Sequence, residues 1–301
     1  MPHRDLVTCA FIREPPKSGP TAGPLSGGTT VAIVGTNFVG SVSVSFGGIP
    51  AASVSVISAM HVIAVDRAGS PGTVDVSVTA AGGSSTSSPT TLFTYLRPPT
   101  VTAVSPGIGP QHGGTAIVIS GSDFAAPATV HFGSVAASRV VVVSPTMITA
   151  TAPAGTGTVN VTVTTPGGTS GLSSADLYEY LARPVVTQVS PSSGPLAGGT
   201  LITITGTSFA GSVTVTFGNA PATDVVVDSP TTITATSPAG TGSVQVEVTT
   251  VGGTSAPSVA SRFTYRVLPS VTKVTPAAGA AAARAVSATD RRRSAVHPGG
   301  R

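Results

Sequence analysis

Short runs of alternating apolar and polar residues recur along most of this chain. Residues 158–164 (TVNVTVT) and 243–249 (SVQVEVT) place valine at every second position. A period of two buries one face of a strand and leaves the other in water. These runs are separated by turns rich in Gly, Pro and Ser, at the spacing of two packed antiparallel sheets. The pattern therefore predicts an all-β fold of β-sandwich type.

Self-comparison shows three copies of one module of about 85 residues. The motif G-P-x-x-G-G-T begins at Gly23, Gly109 and Gly194. Each copy continues with Gly-x-x-Phe, then Phe-Gly, and closes on an aromatic-x-Tyr strand. A period of this length suits a small autonomous sandwich rather than a solenoid unit.

The repeated residues are predicted to form the core and the turns of each module. Twelve of the thirteen aromatic residues occupy four repeated positions per copy, which favours core anchoring. The glycine pair before Thr allows a chain reversal with positive φ. Asn37, Asp123 and Ser208 precede a repeated Phe, where a short polar side chain can cap the turn. The predicted structural motif comprises Gly27, Gly28, Phe38, Phe46, Tyr95, Gly113, Gly114, Phe124, Phe132, Tyr180, Gly198, Gly199, Phe209, Phe217 and Tyr265.

The positive charge of the chain belongs to its two ends. The formal net charge is +4, and charged residues make up only 9% of the chain. Ten of the fifteen basic residues lie before Thr21 or after Tyr265, and between these positions five basic residues face eight acidic ones. A nucleic-acid surface needs a clustered basic face. We therefore expect no nucleic-acid partner, and a solvated tail around Arg291–Arg293.

The sequence offers no constellation for catalysis, and we expect no enzyme, no metal site and no cofactor. Cys9 is the only cysteine, so no disulfide can form within a repeat. His112 and His131 do not recur and are predicted to be solvated, and Asp224 and Asp228 are predicted to share one face of a strand. No run approaches the 18 apolar residues of a spanning helix, so no transmembrane segment is expected. Residues 6–12 (LVTCAFI) are short for the core of a signal peptide, so a secretion signal is unproven.

The ordered motifs resemble the IPT/TIG domain, the immunoglobulin-like fold shared by plexins, some transcription factors and many bacterial surface proteins. The set is V-T-x-V-S-P (101–106 and 186–191), G-P-x-x-G-G-T, G-x-[DNS]-F, V-x-F-G, S-P-T-x-I-T-A-T and the final aromatic-x-Tyr. It spans roughly residues 19–265. The resemblance implies tandem immunoglobulin-like sandwiches of the E-set type. The joints contain proline, which restricts the backbone, so we predict a semi-rigid rod.

The domain boundaries follow from the landmarks. Residues 1–18 are an undefined segment; repeat 1 spans 19–96, repeat 2 spans 98–181 and repeat 3 spans 184–266. The first strand of repeat 1 is degenerate, because Pro15 and Ser18 stand where its siblings carry apolar residues. Residues 267–301 are predicted to hold the truncated start of a fourth repeat, in register at 271–276 (VTKVTP), and a basic disordered tail without further motifs. The array is expected to be cut off, either as a segment of a longer repeat protein or by a reading-frame disruption.

The resemblance implies a noncatalytic extracellular or cell-surface array that spaces or presents binding surfaces to a protein or glycan partner. The alternative is an accessory, carbohydrate-associated region of a polysaccharide-active enzyme. The chain has no Trp and no spare Tyr for stacking on sugars, and the DNA-binding class is disfavoured by charge. Ligand identity and oligomeric state are not readable from the residues.

Overall fold

The computed structural model describes residues 19–273. Within that range almost all regular structure is β, as alternation in the sequence requires. Repeat 1 contains β1 (Ala22–Pro24), β2 (Gly27–Val34), β3 (Ser43–Phe46), β4 (Ile49–Pro50), β5 (Ser53–Ser58), β6 (His61–Arg67), β7 (Gly72–Ala80), β8 (Gly83–Ser84) and β9 (Leu92–Leu96).

Repeats 2 and 3 follow the same order with one more strand at the start. Repeat 2 contains β10 (Thr100–Ser105), β11 (Ile108–Pro110), β12 (Ala116–Ser122), β13 (Thr129–Phe132), β14 (Val135–Ala136), β15 (Ser138–Ser144), β16 (Met147–Thr151), β17 (Gly157–Thr165), β18 (Gly168–Thr169), the 3₁₀ helix η1 (Ser174–Asp176) and β19 (Leu177–Leu181). Repeat 3 contains β20 (Val185–Ser190), β21 (Ser193–Pro195), β22 (Leu201–Thr207), β23 (Thr214–Phe217), β24 (Ala220–Pro221), β25 (Thr223–Ser229), β26 (Thr232–Thr236), β27 (Ser243–Thr250), β28 (Gly253–Thr254) and β29 (Arg262–Arg266).

Each complete repeat is a sandwich of two sheets. In repeat 2 one sheet has the order β10-β12-β16-β15 and the other β11-β19-β17-β13-β14, with β18 paired to β17. The short strand β11 runs parallel to the last strand, with Gly109 opposite Tyr180, and the other pairs are antiparallel. Repeat 3 has the same order. This is the strand arrangement of an immunoglobulin-like sandwich, so the predicted fold class is confirmed.

Repeat 1 differs at one edge. Its smaller sheet is β2-β6-β5, and among residues 19–273 no strand corresponds to β10 or β20. The positions that would supply that strand, including Pro15 and Ser18, lie outside the described residues. The second sheet of repeat 1 is complete, with β1 parallel to β9.

A separate hydrophobic core lies between the two sheets of each repeat. In repeat 2 the rings of Phe132, Tyr178 and Tyr180 meet edge to face, with centroids 5.0 Å apart for Phe132–Tyr178 and for Tyr178–Tyr180. Such contacts add to the burial of the rings. Repeats 1 and 3 contain the corresponding clusters.

Candidate functional site

The glycine pairs of the G-P-x-x-G-G-T motif have a backbone role. Gly113 and Gly114 have φ of 75° and 88°, and the Gly114 N–H donates to the Ala152 carbonyl at 2.9 Å. A Cβ on Gly113 would overlap the backbone of Pro153. The glycines at 27–28 and 198–199 also have positive φ. Packing within the sandwich therefore accounts for these glycines without a ligand.

All twelve repeated aromatic side chains are buried, none with more than 8% of its surface exposed. They include every aromatic residue between 19 and 273. Sugar-binding surfaces commonly stack a pyranose on an exposed ring. The described part of the chain therefore offers no such platform.

The final tyrosine of each repeat forms a hydrogen bond from the last strand to the backbone at or just after the end of a strand in the other sheet. The hydroxyls of Tyr95, Tyr180 and Tyr265 donate to the carbonyls of Arg67, Pro153 and Pro238, each at 2.9 Å. Burial raises the pKa of all three phenols above the usual 10.0, and the charge of Asp66 raises the pKa of Tyr95 further. These hydroxyls are therefore protonated structural donors at neutral pH.

Asn37, Asp123 and Ser208 have φ of 63°, 56° and 61°. The following Phe124 donates its backbone N–H to the Pro145 carbonyl at 3.0 Å, and Phe209 does the same to Pro230. The left-handed conformation favours residues with short polar side chains. A left-handed backbone conformation thus characterises these three positions, and capping of the turn by their side chains stays a prediction.

Two acidic residues are buried, which sequence reasoning did not identify. Asp66 is 1% exposed and accepts from the Thr29 N–H at 2.5 Å, while its second oxygen has no protein partner among the described residues. Asp176 is fully buried in the capping box of η1 and accepts from the Asn160 amide. The repeat itself gave a clue for Asp66, because its counterparts Ala152 and Ser237 are buried residues directly after β16 and β26.

The remaining candidate polar residues are not brought together. His112 is exposed and His131 is half-buried. Asp224 and Asp228 are both exposed, but the pairing of β25 shifts register between Thr223 and Val226, so simple alternation does not relate them. No group of three or more His, Cys, Asp or Glu within residues 19–273 is placed to hold a metal ion.

Close backbone contacts occur at both joints between consecutive repeats. At the first joint, Gly167 of the β17–β18 turn lies against the Arg97 carbonyl, where a Cβ would overlap the oxygen. At the second joint, Gly252 of the β27–β28 turn lies in the same way against the Ala182 carbonyl. The Arg183 Nε also donates to the Thr254 carbonyl there. Both joints are thus made by one type of contact.

A threonine hydroxyl forms a hydrogen bond within each joint turn. The buried hydroxyls of Thr165 and Thr250 accept from the N–H groups of Gly167 and Gly252, at 3.2 and 3.1 Å. Repeat 1 carries Ala80 at this position. A Cβ on its turn glycine Gly82 would meet no atom within 4 Å. The T-x-G-G turn is therefore present in the two repeats that follow another repeat.

The described part of the chain also has two concave surfaces of note. One, of about 310 Å³, lies at the second joint and is lined by Gln111, Glu179, Tyr180, Ala182, Ser208 and Thr250, among others. The other is a groove of about 260 Å³ beside β2 in repeat 1. Neither concentrates groups that could act as an acid, a base or a nucleophile.

None of the helical structure in residues 19–273 is long and apolar enough to span a bilayer.

Comparison with known proteins identifies the repeat. The sequence model of the IPT/TIG domain matches residues 17–95, 99–180 and 184–265. Human (Homo sapiens) Fibrocystin-L is 29% identical over 286 residues, which cover 90% of this chain and 6% of that protein. The chain thus spans only a small part of this relative.

Solved structures of tandem domains are similar at low identity. The full extracellular region of Plexin A4 matches with a TM-score of 0.39 and 20% identity, over 76% of this chain and 22% of that one. The Escherichia coli adhesin FdeC matches with a TM-score of 0.35 and 14% identity, over 84% of this chain and 95% of that one.

Proposed function

Because the chain belongs to the IPT/TIG domain family, we propose that it is a noncatalytic extracellular or cell-surface array that holds binding surfaces at fixed spacing. The observation that carries the proposal is the pair of equivalent joints, in which turn glycines pack against backbone carbonyls of the linker that follows the preceding repeat. A contact made of backbone on both sides restricts rotation between neighbours. The array is therefore proposed to be a semi-rigid rod.

A protein partner is favoured over a glycan. Every aromatic ring between residues 19 and 273 is buried, which leaves no exposed ring for sugar stacking. Among the surface positions that vary between repeats are the x-x residues of the G-P-x-x-G-G-T turns, which read Leu-Ser, Gln-His and Leu-Ala. Loops on a rigid scaffold are the usual place for recognition.

The spacer role is tested by substituting the joint glycines. We expect Gly167→Ala with Gly252→Ala to separate the joint surfaces, because each new Cβ overlaps a carbonyl oxygen. Small-angle X-ray scattering should show a broader distribution of interdomain distances than in the unaltered chain. Gly82→Ala is the matched control, since it changes the equivalent turn where a Cβ has room. Equal scattering from all three proteins would contradict a rod held by these joints.

The extracellular location has its own test. Antibodies against residues 19–273 should label intact cells that produce the protein, without permeabilisation. Brief protease treatment of intact cells should remove that labelling, while an intracellular marker protein stays uncut. Labelling that requires permeabilisation would contradict a surface location and leave the spacer role to be judged by scattering.

A further inference from the structure

One edge of the smaller sheet is open in both complete repeats. The strand β15 ends the sheet β10-β12-β16-β15 of repeat 2, and β25 ends the sheet β20-β22-β26-β25 of repeat 3. Within residues 19–273, β15 pairs only with β16 and β25 only with β26. The outer backbone groups of such an edge are available to another strand.

Both edge strands are rich in valine. Val141 of β15 is 54% exposed and Val226 of β25 is 53% exposed. Val140 and Val142 pack against the core of repeat 2, and Val225 packs against the core of repeat 3. Each edge therefore presents apolar side chains on both faces of its sheet, which favours association with a further strand.

The two strands also have the same shape. The pairing of β15 with β16 shifts register between Ser138 and Val141 and again after Val142, and β25 has both shifts at the equivalent positions. Arg139 and Asp224 occupy the first of these bulges, and both have φ of 51°. Bulges fix the register of strands. An antiparallel pair of these strands, with bulge opposite bulge, therefore has one register.

Charge distinguishes the combinations that share this register. Two copies of β25 would place Asp224 opposite Asp228 twice, and like charges directly opposite each other are destabilising. Two copies of β15 would place Arg139 opposite Val143, with no gain from charge. One copy of each strand places Arg139 opposite Asp228, both of which are exposed. The combination of β15 with β25 is therefore the favoured one.

We propose that β15 of one copy pairs antiparallel with β25 of a second copy. The contact has three central pairs: Val141–Val226, Val140–Val227 and Arg139–Asp228. Val227 faces the core, as Val140 does, because it is paired with the buried Ile233. Core-facing valines thus meet core-facing valines, and outward valines meet outward valines. The two smaller sheets join into one sheet of eight strands, four from each copy.

The occupant of each edge is a second copy because the complementary strand belongs to the same sequence. Within one chain β15 and β25 are edges of separate sheets and do not pair with each other. Strand addition at an exposed edge is an established mode of recognition, and it covers valine-rich edges that are otherwise sites of aggregation. This association requires neither the proposed extracellular location nor a rigid joint.

The first test measures association of the full chain by sedimentation over a range of concentrations. The average mass should rise above the 29.3 kDa of the monomer. Val226→Glu should weaken association at least about 10-fold, because it places a charge at the centre of an apolar contact. The matched control is Leu201→Glu, which adds the same charge at a 65% exposed position of β22, an inner strand of the same sheet. A monomer at every concentration, or equal association of the two variants, would overturn the proposal.

The second test concerns the charge pair. Arg139→Asp should weaken association about 10-fold, because Asp228 then meets a like charge. Aspartate adopts the left-handed conformation of this position readily, so the repeat keeps its fold. Arg139→Lys retains the charge and should associate as the unaltered chain does. Equal association of the two variants would show that Arg139 does not face Asp228.

The third test identifies the two strands. In a Cys9→Ser background, Val141→Cys and Val226→Cys are introduced into separate chains, one of which carries a mass tag. The proposed register places the two thiols directly opposite each other, within reach of a disulfide. After mixing and oxidation, products that link one chain of each kind should greatly exceed the share expected from random collision. An excess of linked Val141→Cys pairs, or no cross-link at all, would overturn the pairing of β15 with β25.

Discussion

At the residue scale, Asp66 is a buried acidic residue with one unsatisfied oxygen, at a position where the other repeats carry Ala152 and Ser237. Ser237 in repeat 3 accepts the Thr200 N–H at 3.1 Å, and Asp66 accepts the Thr29 N–H in the same way. The carboxylate brings a second oxygen that has no protein partner among the described residues. A buried polar atom without a hydrogen bond costs stability.

We therefore expect Asp66→Ser to stabilise repeat 1 by about 2 kcal/mol. The serine keeps the bond to the Thr29 N–H and removes the unpaired oxygen. The reciprocal change Ser237→Asp should destabilise repeat 3. Differential scanning calorimetry should resolve both changes as shifts of one unfolding transition. A lower transition temperature for Asp66→Ser would show that the carboxylate contributes a favourable interaction.

The three strand-closing tyrosines predict a stability that falls in alkali. Their folded pKa values lie above the 10.0 of an ordinary phenol, so above pH 10 the unfolded chain releases protons that the folded chain retains. Stability is thus fully present below pH 10 and is lost as the pH rises through the folded values. Thermal melts at pH 8, 9.5 and 11 should show this decline.

The control is the triple replacement of Tyr95, Tyr180 and Tyr265 by Phe. It should be less stable at pH 8, by about 1 kcal/mol for each lost hydrogen bond, and its alkaline decline should be shallower. A decline of equal slope in both proteins would assign the effect to other groups.

At the element scale, the central strands were predictable and the irregular segments were not. The alternating run 158–164 lies inside β17, and the run 243–249 lies inside β27. Burial on one face is enough to fix such strands. The buried aromatics were predictable for the same reason, since they recur at fixed spacing in a chain with few other large side chains.

The elements that the sequence did not indicate depend on partners distant in the chain. The three-residue strands β1, β11 and β21 pair in parallel with the last strand of each repeat, but their Gly-Pro sequences are those of turns. The helix η1 depends on the capping box between Ser173 and Asp176. The joint turns were not predicted because a turn glycine that is required by a distant contact cannot be distinguished, in the sequence alone, from other turn glycines.

At the scale of the whole molecule, the family assignment and the sandwich architecture agree with what the repeats predicted. Repeats 2 and 3 share one complete strand order, whereas the smaller sheet of repeat 1 has, among residues 19–273, no counterpart of β10 and β20.

The joints have a consequence for how such an array can change in length. The turn glycines at both joints approach main-chain carbonyls of the linker that precedes their own repeat, and every residue has such a carbonyl. The contact is therefore largely indifferent to the side chains of its neighbour. A repeat that carries the T-x-G-G turn could be duplicated, removed or moved to another place in the series without redesign of the adjoining repeat.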